Sequence, residues 1–148
     1  MQLLHLQENQ VTYIPQEIDT RASQDILSQA KNLPNEKLGH MMTVVSRLGS
    51  RPHRLLESVE PSPGEIRKIL LATGIVNVPH LIVMDEPTNH LDLPSIECLE
   101  SALIDCPCGL LLVSHDRRFL DALTHTRWHI STDSRILSTY ILEVSSSA

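Results

Sequence analysis

The chain has 148 residues, with 12 lysines and arginines against 18 acidic residues, so its net charge is −6 with histidines neutral. That balance excludes a whole-chain electrostatic footprint for nucleic acid, leaving only a local patch open. Its aromatic residues, 3% of the chain, are scattered as Tyr13, Phe119, Trp128 and Tyr140, which excludes a base-stacking platform. No apolar run approaches the roughly 20 residues that span a bilayer.

Gln10 to Pro15 reads as a short strand closed by a proline, which cannot donate to a ladder. Residues 20–58 are polar and helix-patterned. Within them Leu38, Met41, Met42, Val45 and Leu48 recur at helical spacing, and Gly49 is placed to end that helix. Ser50 to Ser58 holds Pro52 and reads as a loop or short helix. Ser62 and Glu65 have capping-box spacing, with Pro63 at the first helical position. A helix therefore starts at Ser62 and runs through Ile66, Ile69, Leu70 and Thr73 to near Gly74. Leu81 to Met84 is a continuous apolar run, expected as a strand buried on both faces. Asp92 to Asp105 predicts a helix with Pro94 in its first turn and Ile96, Leu99 and Leu103 on one face. Leu110 to Val113 is a second apolar strand, and Arg117 to Leu123 a short helix. Trp128, Ile130, Ile136, Tyr140 and Leu142 suggest a terminal hairpin turning near Thr132, Asp133 and Ser134. This strand–helix–strand alternation predicts an α/β fold with a parallel sheet and right-handed crossovers.

The strongest chemical signal is LIVMDEPTNHLD, residues 81–92. An apolar strand delivers Asp85 and Glu86 to its carboxyl end, where α/β sheets place their ligands. One acid can serve a Mg²⁺ site while the other handles an attacking water; a solvated acidic turn after a core strand is the other reading of the pair alone.

The stretch resembles the Walker B motif and D-loop of ATP-binding cassette (ABC) ATPases, and Thr88 to Asp92 looks most like the ABC-F branch. Other landmarks of that family stand in order. Residues 13–17 (YIPQE) resemble the Q-loop, with Gln16 as its glutamine. Residues 62–65 (SPGE) stand at the signature motif, and residues 111–116 (LLVSHD) match the switch-histidine strand. The resemblance implies a partial P-loop-NTPase-like parallel sheet with a helical signature subdomain and a C-terminal β-hairpin. Within 1–148 it places a Q-loop region at 1–19, the helical subdomain at 20–76, and the Walker B, D-loop and switch-histidine core at 77–148.

It also implies roles residue by residue. Asp85 would hold Mg²⁺ through its water shell, and Gln16 would reach the same ion or the attacking water. Glu86 would polarise or deprotonate that water, and His115 would contact the γ-phosphate. Ser62, Gly64 and Glu65 would face the phosphates of an ATP held by a second ABC domain, and Asn89 and Asp92 would lie on the dimer face. Pro61 and Pro63 depart from the family pattern, where leucine and glycine are usual. Pro63 removes one N–H donor, so a purely helix-capping role for Ser62 stands beside the phosphate-binding one.

A phosphate loop requires Gly-x-x-x-x-Gly-Lys followed by Ser or Thr. The lysines are Lys31, Lys37 and Lys68, and none follows a glycine. The expectation is a C-terminal portion of one nucleotide-binding domain, inactive alone, with apolar sheet surface uncovered beside Leu81–Met84 and Leu110–Val113 and, in consequence, marginal stability or self-association. The resemblance further implies ATP and Mg²⁺ as cofactors, a cytoplasmic setting without membrane insertion, and ribosome-linked work through a parent protein. A non-catalytic dimerisation or regulatory module, an inactive truncated remnant and a fragment of a transporter ATPase subunit are the alternatives. Cys106 and Cys108 lack a second pair at zinc-like spacing and read as ordinary thiols. Arg117 and Arg118 read as solvated helix charges, with RNA contact as the alternative.

Overall fold

A computed structural model describes residues 7, 10–58, 61–89, 91–132 and 140–146. Strand β1 (Val11–Ile14) leads into four helices, α1 (Thr20–Lys31), α2 (Asn35–Arg47), α3 (Pro52–Glu57) and α4 (Pro63–Val76). Then follow β2 (Leu81–Asp85), α5 (Leu93–Ile104), β3 (Gly109–Val113), α6 (Arg117–Leu123), β4 (Thr126–Thr132) and β5 (Tyr140–Ser146). The first three strands form a parallel sheet in the order β1-β2-β3, and β4 and β5 form a separate antiparallel hairpin. The α/β class, the parallel sheet and the terminal hairpin are those expected from sequence. Of the turn expected near Thr132, Asp133 and Ser134, the last two residues lie outside the described ones, as does Ile136.

Local chemistry sets the helix ends. Asp19, Asp92 and Asp116 each accept a backbone N–H as N-caps of α1, α5 and α6, and Ser62 and Glu65 complete a capping box at α4. Helix α2 stops in a Schellman arrangement: Gly49 takes φ +74° and donates to Ser46 O, and Ser50 donates to Val45 O. The segment around Pro52 is a short helix rather than a loop, with the proline in its first turn, where its missing N–H costs nothing.

Helix α4 ties the molecule together. Ile66, Ile69 and Ala72 join Leu27, Met41, Val45 and Leu55 in a cluster among the helices. Leu71 joins Ile14, Ile82, Met84, Leu99, Leu103 and Phe119 against the sheet. Gly74 makes this possible: a Cβ there would stand 2.3 Å from Thr12 Cγ2 of β1.

Both crossovers step the same way across the sheet, and right-handed connections stepping one way lay their helices on one face. Ile82 and Met84 are accordingly buried, while Leu81 and Val83, which alternate with them, are only half-buried. This corrects the expectation of a strand buried on both sides. Tyr13 and Leu111, in register with Val83, stand exposed on the uncovered face together with Val113. The hairpin has a bare apolar face too, where the pairs Trp128–Val144 and Ile130–Leu142 are all exposed. Among the described residues no helix is long and apolar enough to cross a membrane.

Candidate active site at the carboxyl end of the sheet

Parallel pairing brings three strand ends to one edge. The register Ile14–Met84–Leu112 puts Gln16, Glu86 and Ser114 at one level beyond β1, β2 and β3. Glu86 still donates its N–H to Val113 O at 2.8 Å, and its own carbonyl accepts from Asn89 N–H at 3.2 Å, closing the turn that follows. Its backbone lies in the left-handed region with φ +46°. For a non-glycine residue followed by proline this costs of order 1–3 kcal/mol.

The strained backbone aims a buried carboxylate. Glu86 is 9% exposed, and its Oε1 lies 3.4 Å from His115 Nε2 while its Oε2 accepts the His115 backbone N–H at 3.4 Å. The His115 ring is otherwise open to solvent. The loops after β2 and β3 are joined by the hydroxyls of Thr88 and Ser114, 3.4 Å apart, and Ser114 Oγ accepts the N–H of Asp116 at 3.1 Å. This edge can therefore present a buried carboxylate and an accessible imidazole, side by side, to a water or an oxyanion in front of them.

Asp85 is half-buried beside this pair. Burial lowers the pKa of Arg67 on α4, and the charges of Asp85 and Glu17 oppose that shift without overcoming it. The sequence reading passed over Arg67. The available signal was its place in the stripe Gly64, Arg67, Lys68 and Leu71 at helical spacing, four residues that line one small apolar cavity with Pro87 and Leu91. The early turns of α4 thus lie against the segment after Glu86.

The other expected residues are placed differently. Gln16 is exposed just beyond β1. Ser62 and Glu65 satisfy each other: Glu65 Oε2 accepts the Ser62 N–H at 2.7 Å, and Ser62 Oγ accepts the Glu65 N–H at 3.3 Å. Gly64 keeps no side chain in the way. Asp92 accepts the Ser95 N–H at 3.0 Å, and hydrogen bonding to Ser95, through its side chain first and this N–H second, lowers the Asp92 pKa. None of Ser62, Glu65 or Asp92 hydrogen-bonds to Asp85, Glu86 or His115 among the described residues. Arg118 pairs with Glu100 at 2.9 Å, in keeping with a solvated helix charge.

The donors suit a hard cation that brings its own phosphate and water ligands. Mg²⁺ commonly uses one or two carboxylates in such sites, and Asp85 offers one. The described residues contain no group of three or more His, Cys, Asp or Glu able to cage a metal unaided.

No protein-family model matches the chain. The ribosome protection protein VmlR of Bacillus subtilis is 36% identical over 125 residues, covering 83% of this chain and 23% of that protein. The ATP-binding protein Uup of Haemophilus influenzae is 35% identical over 113 residues, covering 70% of this chain and 17% of that one. Among solved structures, an ATP-binding subunit of an ABC transporter superposes with a TM-score of 0.64 at 21% identity, over 80% of this chain and 53% of its own. The chain thus spans less than a quarter of these two relatives and about half of that structural neighbour.

Proposed function

We propose, on the premise that this chain is an ABC-type ATPase-domain homologue with ABC-F proteins as its relatives, that its strand ends form the hydrolytic half of an ATP site. The other half, which grips the phosphates, comes from polypeptide outside these 148 residues, since they contain no phosphate-loop motif. The observation that carries the reading is the buried Glu86 carboxylate against the accessible His115 ring at the carboxyl end of a parallel sheet.

Bound ATP with Mg²⁺ would supply the phosphoryl group. Asp85, with Gln16 one strand over, would hold the ion's water shell. Glu86 would accept a hydrogen bond from the attacking water and orient or deprotonate it. His115 would donate to the charge that grows on the phosphoryl oxygens. Ser62 and Gly64, at the positive end of the α4 dipole, would face the phosphates of a nucleotide on a second ABC domain, with Asn89 and Asp92 on the same dimer face. The process favoured by kinship to VmlR is ribosome-linked, in the cytoplasm.

The test is ATP turnover by the chain alone and after addition of a separately purified phosphate-loop half of an ABC-F-type domain. We expect background rates alone, turnover in the mixture, loss of that turnover in Glu86→Gln, and a fall of about 10²–10³-fold in His115→Ala. A normal rate from the chain alone, or a mixture indifferent to Glu86→Gln, would overturn the reading. The capping box at Ser62 and Glu65 favours a second reading, a docking module that binds a partner ABC domain without catalysis. In that case the partner's turnover would change while Glu86→Gln had no effect on it.

A further inference from the structure

Away from the ATP-site residues, the link between α5 and β3 carries a paired thiol site. Cys106 and Cys108 have their Sγ atoms 2.9 Å apart. The backbone enforces the pairing. Cys108 N–H donates to Cys106 O at 2.8 Å, closing a three-residue turn over Pro107, whose ring holds φ near the value such a turn requires. Both ends of the link are anchored: Cys106 N–H donates to Leu103 O at 3.1 Å, and Gly109 N–H donates to His80 O at 2.9 Å. The two sulfurs are thus held side by side before any chemistry occurs.

The surroundings admit a small reagent. Both cysteines are half-buried, packed on the sheet core at one side. On the other side they line an open cavity of about 450 Å³ with Val78, Pro79 and His80. The link lies at the amino end of β3, the opposite end of the sheet from Glu86 and His115, so this site is separate from the proposed ATP chemistry.

We infer that Cys106 and Cys108 form a dithiol site that exchanges with small-molecule disulfides and closes reversibly to an intramolecular disulfide. In the first step either cysteine, Cys106 for example, attacks as its thiolate one sulfur of the small disulfide, forming a mixed disulfide and expelling one thiol. Cys108 then gives up its proton and attacks Cys106 Sγ, expelling the second thiol. The dithiol loses two electrons and two protons, and the small disulfide becomes two thiols. Closure to the usual bond length of about 2.05 Å needs the sulfurs to approach by only about 0.9 Å from their 2.9 Å separation. Burial and the contact with Cys106 push the Cys108 thiol up to about 12, and either sulfur can open the exchange because its partner stands 2.9 Å away to close it. Cys98 lies on α5, and no hydrogen bond joins it to the pair among the described residues.

The experiment uses the full chain carrying Cys98→Ala, treated with oxidised glutathione, followed by thiol counting and intact mass. The expected result is loss of both thiols together, with no retained glutathione and no covalent dimer, reversed by dithiothreitol. Cys108→Ser should instead hold a stable glutathione adduct on Cys106. Pro107→Gly should slow ring closure roughly two- to fivefold by loosening the turn. Thermal melts of each reduced variant check that the fold is retained. A stable adduct on the Cys98→Ala chain, disulfides formed only between chains, or closure unaffected by Cys108→Ser would overturn the inference.

Discussion

Ile82 and Leu111 sit on adjacent strands of one sheet and are both aliphatic, yet Ile82 is 0% exposed and Leu111 is 42% exposed. The difference lies in which face each side chain meets. Ile82 points towards α4 and α5, with Leu71, Leu99 and Leu103 around it, whereas Leu111 shares the other face with Tyr13 and Val113. Hydrophobicity is the same on both faces; helix cover is not. A doubly wound sheet fills its second face when the chain reverses its stepping direction, and β1-β2-β3 does not reverse.

The sharpest way to break this comparison is to truncate both residues. Ile82→Ala should cost about 2–5 kcal/mol by opening a cavity in the covered core. Leu111→Ala should stay within about 0.5 kcal/mol, as exposed positions do. Urea unfolding midpoints measure both. Comparable losses would mean that the open face is covered in solution, and a concentration-dependent midpoint would identify a second copy as the cover.

A smaller effect tests how the covered face closes. Gly74→Ala should destabilise by about 1–3 kcal/mol through overpacking, despite alanine's better helix propensity, because β-branched Thr12 cannot move aside cheaply. Thr12→Ala in the same chain should recover part of that loss. If Gly74→Ala melts at or above the parent temperature, α4 does not sit so close to β1.

The effect that vanishes at neutral pH concerns the thiol link. Cys108 is raised from about 9.0 to about 12 in the folded chain, so the native state holds that proton more tightly than the unfolded state does. Stability from this group is therefore complete below pH 9 and is lost as pH rises from 9 to 12. Cys108→Ser should flatten that part of the alkaline melting profile while leaving the neutral melt nearly unchanged. An identical slope with and without the thiol would remove this contribution.

Much of the covered half is legible in residue order because its signals are local. Ser62, Pro63 and Glu65 announce the start of α4, Gly49 announces the end of α2, and the Asp92 cap with Pro94 announces α5. Asp85, Glu86 and His115 stand out because each closes an apolar strand. The left-handed backbone at Glu86 was not legible, since glutamate has no preference for it and the turn is imposed by the bond to Val113 O. Arg67 was missed because its partners Asp85 and Glu17 are distant in sequence. The capping box also takes up the polar groups of Ser62 and Glu65, which spacing alone left open to phosphate.

By itself the sequence determined the elements, their order, the parallel class of the sheet and the candidate residues at the strand ends, because caps, prolines and apolar periodicity act within a few residues. Only the tertiary structure decided that the sheet has one covered face, that Glu86 is buried against His115, and that α4 approaches β1 at Gly74. Those outcomes depend on crossover direction and on contacts between residues far apart in the chain, and no local preference encodes them.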